Sequence, residues 1–254
     1  MNGKNLSRLA NRKRRKISLL LHPLIVKIAT SFNAFSTILV LDLKKGFKMP
    51  EVVSKVQPYE DYVDIQVFGS QEKFQSQTIG KHLRTLDPLK KFLNTEALKL
   101  RSGNNLKFLC HGIRNGKEIL AFKKILNKYN ITFLGTDLNP WVSNLDYGLV
   151  HDFQKRIPKK FGKFDIIYTN SLDQAQFPKK ALESMYMDLS RNGILIIYFS
   201  ELHGKMGFST LDPFSCEIEI FPYMYLNWFT GQARIEFIKD TRHLRRGWFV
   251  IRKN

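Results

Sequence analysis

Two glycines and three carboxylates in the middle of the chain have the types and order that invite chemistry. Gly112 and Gly116 bracket a turn in FLCHGIRNGKE, directly after the apolar run Phe108, Leu109, Cys110. A glycine-bearing turn of this kind can bring backbone N–H groups up to a ligand. Asp137 comes after a second apolar run, Ile131 to Leu134, and Gly135; a carboxylate there can accept hydrogen bonds from a ribose diol. Asp152 ends a shorter run, and Asp173 lies in TNSLDQA, the small polar stretch after FDIIY. The order of strand, glycine turn, helix, strand and acid implies a nucleoside-containing ligand. Each residue also has a plainer reading: the glycines serve turn geometry, Asp137 and Asp173 cap the segments after them, and Asp152 is a loop carboxylate.

These groups need a frame, and hydrophobic periodicity supplies one. Ile119, Phe122, Lys123 and Leu126 recur three and four apart and predict a helix over 117–128, with Lys117, Lys124, Asn127 and Lys128 on its other face. Strands are predicted at 107–110, 131–134, 149–152 and 164–168, and ILIIYF at 194–199 reads as a strand covered on both faces. A helix over 178–189 is predicted to stop at the glycine of Arg191, Asn192, Gly193. Two final strands are predicted at 233–238 and 247–251. Upstream, Tyr59, Tyr62, Val63 and Gln66 fit helical spacing over 60–67, and a second helical region over 76–100 is interrupted at Asp87 and Pro88. Alternating strands and helices predict an α/β sandwich.

The formal net charge of +19 favours phosphate-rich or anionic partners without identifying one. Residues 1–27 hold eight of the lysines and arginines and no acid, so the rest of the chain still carries +11. RKRRK at 12–16 precedes a largely apolar stretch interrupted by Lys27 and Asn33, which argues against a membrane span. Leu24, Ile28, Phe32 and Phe35 instead suit one face of an amphipathic helix, docked on the core or resting on an anionic bilayer. Two cysteines, Cys110 and Cys216, are too few for a disulfide framework or a cysteine-rich zinc site. No HxxxH, paired-cysteine or dense carboxylate pattern supports a metal, and no metal is expected. GIRNG lacks the GxGxxG of a dinucleotide site, and Ser171 lacks a GxSxG elbow, which argues against hydride transfer and against a hydrolase.

From about Lys107 to Phe199 the chain resembles the core of a class I S-adenosylmethionine-dependent methyltransferase, within a divergent subgroup. FLCHGIRNGKE, GTDLNP, HDF, NSLDQA and RNGILIIYF carry the resemblance. It implies a three-layer sandwich around a seven-stranded, mostly parallel, Rossmann-like sheet with the last strand antiparallel. Residues 1–60 are then a basic, partly helical extension, and 61–254 a methyltransferase-like domain that includes an N-terminal helical cover. The implied cofactor is S-adenosyl-L-methionine. His111, Gly112, Arg114 and Gly116 would surround its methionine portion, and Asp137 would hold the ribose hydroxyls. Leu138 or Asn139 would border the adenine, Asp152 would accept from its amino group, and Phe153 would pack beside its ring. Asn170 and Ser171 would lie at the junction of donor and acceptor, with Asp173 the candidate for orienting the acceptor or taking its proton. Many family members carry an acid two positions before the first loop glycine, where this chain has Cys110.

The activity so implied is methyl transfer to a small-molecule or saccharide acceptor. The charge supports RNA or DNA methylation as the alternative, above all where Lys155, Arg156, Lys159 and Lys160 adjoin the site. The remaining readings are a noncatalytic nucleic-acid-binding protein and a membrane-peripheral one. The expected location is cytoplasmic, or peripheral on a membrane.

Overall fold

The computed structural model describes residues 56–75, 87–100, 105–200, 209–216, 218, 220–229, 233–240 and 246–253. RKRRK, the face of Leu24, Ile28, Phe32 and Phe35, and the stretches 76–86 and 201–208 lie outside the described residues. Two helices come first, α1 (Tyr59–Gln75) and α2 (Asp87–Leu100). They are followed by β1 (Leu106–His111), α3 (Lys117–Ile125), β2 (Ile131–Asp137), β3 (Gly148–Val150), β4 (Phe164–Thr169), α4 (Pro178–Asp188) and β5 (Leu189–Ser200). The described chain closes with α5 (Phe221–Phe229), β6 (Ala233–Lys239) and β7 (Arg246–Lys253).

The seven strands form one sheet in the order β3-β2-β1-β4-β5-β7-β6. The first five are parallel, and β7 is inserted antiparallel between β5 and β6. Strands alternate their side chains between faces, so each central strand feeds two layers. On one face Phe108, Cys110, Ile166, Tyr168, Ile194, Ile196, Trp248 and Val250 pack with Leu89 and Leu93 of α2 and Ile119 and Phe122 of α3. On the other face Phe199 and Phe249 meet Phe221 of α5, with Phe221 and Phe249 stacked at 4.6 Å between centroids. Tyr186 of α4 lies beside Phe229 of α5 on that side. The expected sandwich is therefore present, and the unbroken apolar character of FDIIY and ILIIYF is explained by cover on both faces.

Several boundaries differ from expectation for identifiable reasons. β2 continues past Leu134 to Asp137, because Gly135, Thr136 and Asp137 keep pairing with β3. β3 stops at Val150, so Asp152 stands two residues beyond it. The glycine stop predicted at Gly193 is wrong. α4 ends at Asp188, Leu189 is extended, and Gly193 lies inside β5 without a positive φ. Sheet pairing decides this: Phe164 pairs with Leu189 and Ile166 with Ile194, so Ser190 to Gly193 bulge from the ladder. Asp165 secures the bulge by accepting from Ser190 Oγ at 2.9 Å, while its other oxygen accepts the Lys107 N–H at 2.9 Å.

Arg252 of β7 donates to Glu96 of α2 at 2.6 Å and to Glu236 of β6 at 2.9 Å. Burial raises the Glu96 carboxyl pKa, but hydrogen bonds from Arg252 and Lys99 outweigh it and leave the pKa lowered. Among the described residues no helix is long and apolar enough to cross a membrane.

Phe122 is fully buried between Phe108, at 4.9 Å, and Tyr168, at 4.7 Å between centroids. Phe122→Ala is expected to lower unfolding free energy by about 3–5 kcal/mol, read as a shifted urea midpoint. A loss below about 1 kcal/mol would show that the site repacks.

Candidate functional site

Parallel strands deliver their last residues to one edge of the sheet. The strand order reverses between β1 and β4, so the loops beyond these strands leave room for a crevice. Gly112 opens the loop after β1 with φ 71°, and its N–H and that of Ile113 both donate to the Thr136 carbonyl, at 2.8 and 3.1 Å. A Cβ at position 112 would overlap the Ser171 side chain, so glycine lets the loops after β1 and β4 touch. Arg114 is left-handed at φ 46°, an uncommon state for a residue with a Cβ. It is held there by an N–H bond to Asp137 Oδ2 at 2.8 Å.

Asp137 is the pivot of the arrangement. Its Oδ1 accepts the Asn139 N–H at 2.9 Å, so each oxygen is oriented by one backbone donor from a different loop. A carboxylate has about four acceptor positions, which leaves capacity on both oxygens. Burial raises the Asp137 carboxyl pKa, against the lowering effect of the two N–H groups and of Arg114. Gly112, Arg114, Asp137 and Leu138 line one side of a cleft of about 490 Å³, counting space open to solvent. Phe153 and Gln174 line it further along the edge.

Helix α1 supplies the facing wall. Tyr62, Gln66 and Gly69 fall four and three apart on its buried stripe and line the cleft with Leu211. Gln66 Nε2 donates to the Leu211 carbonyl at 2.6 Å, and the Gln57 N–H donates to Gln176 Oε1 at 2.8 Å. Tyr59, at the start of the helix, donates to Asp152 Oδ2 at 3.0 Å and accepts from Lys155 Nζ at 2.9 Å. Asp152 Oδ1 takes the Gln154 N–H at 2.9 Å.

Gly112, Arg114, Asp137, Leu138 and Phe153 thus meet at the cleft, while the other predicted residues stand around it. His111 is buried, with Nδ1 2.7 Å from Thr136 Oγ1 and its ring 6.0 Å from that of Phe153. Burial, reinforced by His151, pushes its pKa down to about 3, so the imidazole is neutral. Gly116 starts α3 in a left-handed conformation and packs against Tyr147 and Leu145. Asn139 caps the short 3₁₀ turn Pro140–Asn144 by accepting the Trp141 N–H at 3.0 Å. Asp173 is half-buried in the turn Leu172–Gln174, and its carbonyl accepts the Phe214 N–H at 2.9 Å.

Glu118 escapes sequence reasoning, which treats it only as the start of a helix. It is buried in the first turn of α3, where the helix dipole favours a carboxylate. Asn170 Nδ2 donates to its Oε1 at 2.5 Å, and Ser171 Oγ donates to Asn170 Oδ1 at 2.8 Å. The Cys110 thiol lies 3.9 Å from Glu118 Oε2, and burial together with this carboxylate pushes the thiol pKa well up. An acid is therefore restored in space beside Cys110, from eight residues along the chain. Tyr62 and Gln66 fit a helix face in sequence, and a glutamine within that stripe is the signal that the face meets something polar. Cys110 and Cys216 are buried and not joined in a disulfide, and among the described residues no three of His, Cys, Asp and Glu cluster as a metal set.

No protein-family model and no curated protein sequence matches the chain. Solved structures do match. The plantazolicin methyltransferase BpumL, in complex with a triazolic desmethylPZN analog and SAH, is 11% identical, with 77% of this chain and 98% of its own covered at a TM-score of 0.55. The CurJ carbon methyltransferase is 13% identical, with 74% and 60% covered at 0.54. The citrinin polyketide synthase CMeT domain is 13% identical, with 65% and 51% covered at 0.51. This chain thus spans about half the length of the citrinin synthase chain it matches and three-fifths of the CurJ chain. At such identities the likeness is one of architecture: the chain has the class I S-adenosylmethionine-dependent methyltransferase fold, in divergent form.

His111 makes the fold acid-sensitive. The unfolded chain takes up a proton at this residue below its ordinary pKa of 6.5, whereas the folded chain resists until about 3. Stability is therefore lost as pH falls from 6.5. Relative to wild type, His111→Gln is expected to flatten the urea-measured slope between about pH 6 and pH 4 by up to one proton, about 1.4 kcal/mol per pH unit. Equal slopes would exclude His111 as the titrating group.

Proposed function

We propose that this methyltransferase fold is used as one: the cleft binds S-adenosyl-L-methionine, and the chain directs its methyl group to a small-molecule acceptor. The observation that carries the reading is Asp137, held at the end of β2 by the Arg114 and Asn139 N–H groups, with acceptor capacity left on both oxygens beside the Gly112 loop. The set of groups suits the ligand. Arg114 offers a cation for an amino-acid carboxylate, Asp137 accepts from a ribose diol, and Leu138 and Phe153 offer apolar surface to a purine. Buried Glu118 and half-buried Asn170 form a polar pair next to the loop, whose carboxylate would suit an ammonium group. Asp152, which already accepts from Tyr59 and Gln154, would in this reading also accept from the adenine amino group.

Bound S-adenosyl-L-methionine supplies an electrophilic methyl carbon on a sulfonium. The protein's task is then mostly alignment and the exclusion of water, which α1 and Leu211 serve by facing the loops after β1 and β2. A general base is required only where the acceptor loses a proton on attack. Asp173, with Asn170 and Ser171 in the loop after β4, takes the acceptor side in this reading. The plantazolicin methyltransferase structure is a complex with a triazolic desmethylPZN analog and SAH, and the citrinin domain belongs to a polyketide synthase, which supports a small-molecule acceptor here.

The nucleic-acid alternative asks the cations after β3 to converge on the site. Arg156 turns to Asp188 at 2.5 Å, Lys160 lies over Phe161, and Lys155 reaches the cleft wall through Tyr59. That dispersal supports the small acceptor.

Calorimetric titration with S-adenosyl-L-methionine tests the reading. The wild type is expected to bind, and Asp137→Ala to weaken binding by roughly 10- to 100-fold through loss of charge-assisted hydrogen bonds. Absence of binding by the folded wild type would overturn the assignment. Asp173→Asn is expected to leave cofactor affinity unchanged and to reduce turnover with an acceptor that must lose a proton; unchanged turnover would remove Asp173 from catalysis.

A further inference from the structure

Tyr62 is fully buried, yet its hydroxyl has no hydrogen-bond partner in the structure. Phenylalanine would fill the same space without stranding a polar atom, so the oxygen asks for a partner. The residue lines the same cleft as Asp137, Leu138 and Phe153. Burial pushes the phenol's pKa far up, with Asp152, then Tyr59 and Asp137 adding to it, so the hydroxyl stays protonated throughout the neutral range. Neither carboxylate accepts from it: Tyr59 and Gln154 donate to Asp152, two backbone N–H groups donate to Asp137, and the Tyr62 hydroxyl bonds to neither.

The helix that carries this donor is held in place. The Tyr62 N–H bonds to the Pro58 carbonyl at 3.0 Å, its ring lies 6.2 Å from that of Tyr59, and one turn later Gln66 is fixed on Leu211. The phenol is thus fixed in advance in the wall of the cleft that α1 shares with the end of β2. A ribose diol there would donate its two hydrogens to Asp137 and would keep lone pairs on its own oxygens. A fixed donor in the same cleft completes that diol.

Resting on the cofactor reading above, we propose that the Tyr62 hydroxyl donates to a ribose hydroxyl oxygen of the bound nucleoside. Helix α1 is then part of the recognition site as well as its cover. Tyr62 is a binding residue in this scheme and takes no part in bond making.

Titrations of wild type and Tyr62→Phe with S-adenosylhomocysteine and with its 2′-deoxy and 3′-deoxy analogues test the proposal. Tyr62→Phe is expected to keep or raise the ligand-free melting temperature and to weaken S-adenosylhomocysteine binding by about tenfold. For the analogue that lacks the partnered oxygen, the substitution is expected to cost nothing further, because the two deletions remove the same bond. Unchanged affinity in Tyr62→Phe would overturn the proposal, as would an equal loss with all three ligands or a lowered ligand-free melting temperature without a change in affinity. A wild type that binds none of the three would overturn the cofactor reading itself, and the proposal with it.

Discussion

The hydrogen bond from the Arg114 N–H to Asp137 is the constraint on which the site depends. It joins the loop after β1 to the last residue of β2, and it compensates the left-handed backbone that Arg114 must adopt. Gly112 and Ile113 reinforce the same junction through the Thr136 carbonyl, so the loop and the end of β2 share three hydrogen bonds, two to a backbone carbonyl and one to a side chain. Arg114 therefore reaches the cleft from a loop whose path is fixed by the neighbouring strand. The same carboxylate orients Asn139, which caps the turn leading to β3. One acid thus organises the approach from both sides, and its residual acceptor capacity is what remains for a ligand.

Where a physical demand is local, the sequence makes it legible. FDIIY and ILIIYF had to be covered on two faces, and they are central strands. Asp137 could be placed because a strand end is set by a short pattern. Glu118 could not be read, since its role arises from α3 turning it back towards Cys110 and Asn170. Tyr62 and Gln66 are legible as one face of a helix, and the glutamine marks that face as meeting something polar, but the spacing does not say that it covers a cleft. Gly193 misleads for a related reason. A glycine after a helix ordinarily stops it, whereas here pairing with β4 ends the helix at Asp188 and absorbs the glycine into a bulge.

The polar groups divide between the two ends of the sheet. Near the cleft, carboxylates are met mainly by backbone N–H, hydroxyl and amide groups: Asp137 by Arg114 and Asn139, Asp152 by Tyr59 and Gln154, Glu118 by Asn170. Away from it, Glu96 and Glu236 are met by Arg252, and Asp188 by Arg156. Neutral donors orient a carboxylate without cancelling its charge, and a charged partner cancels more of it. The cleft acids thus retain more of their field than those that fasten α2 and α4 to the sheet.

Asp165 stands one residue into β4, and Asn170 directly succeeds that strand's last residue, roughly 17 Å further along at strand rise. By holding the Lys107 N–H on one side and Ser190 on the other, this carboxylate sets how far β1 and β5 may slide past the strand between them. Sliding at that end would be carried along stiff strands to the place where Gly112 meets Ser171. The alignment of the two loops is therefore gauged from the opposite margin of the sheet. Drift at Asp165 would shift Gly112 against Ser171 from a distance while every residue that lines the cleft kept its identity.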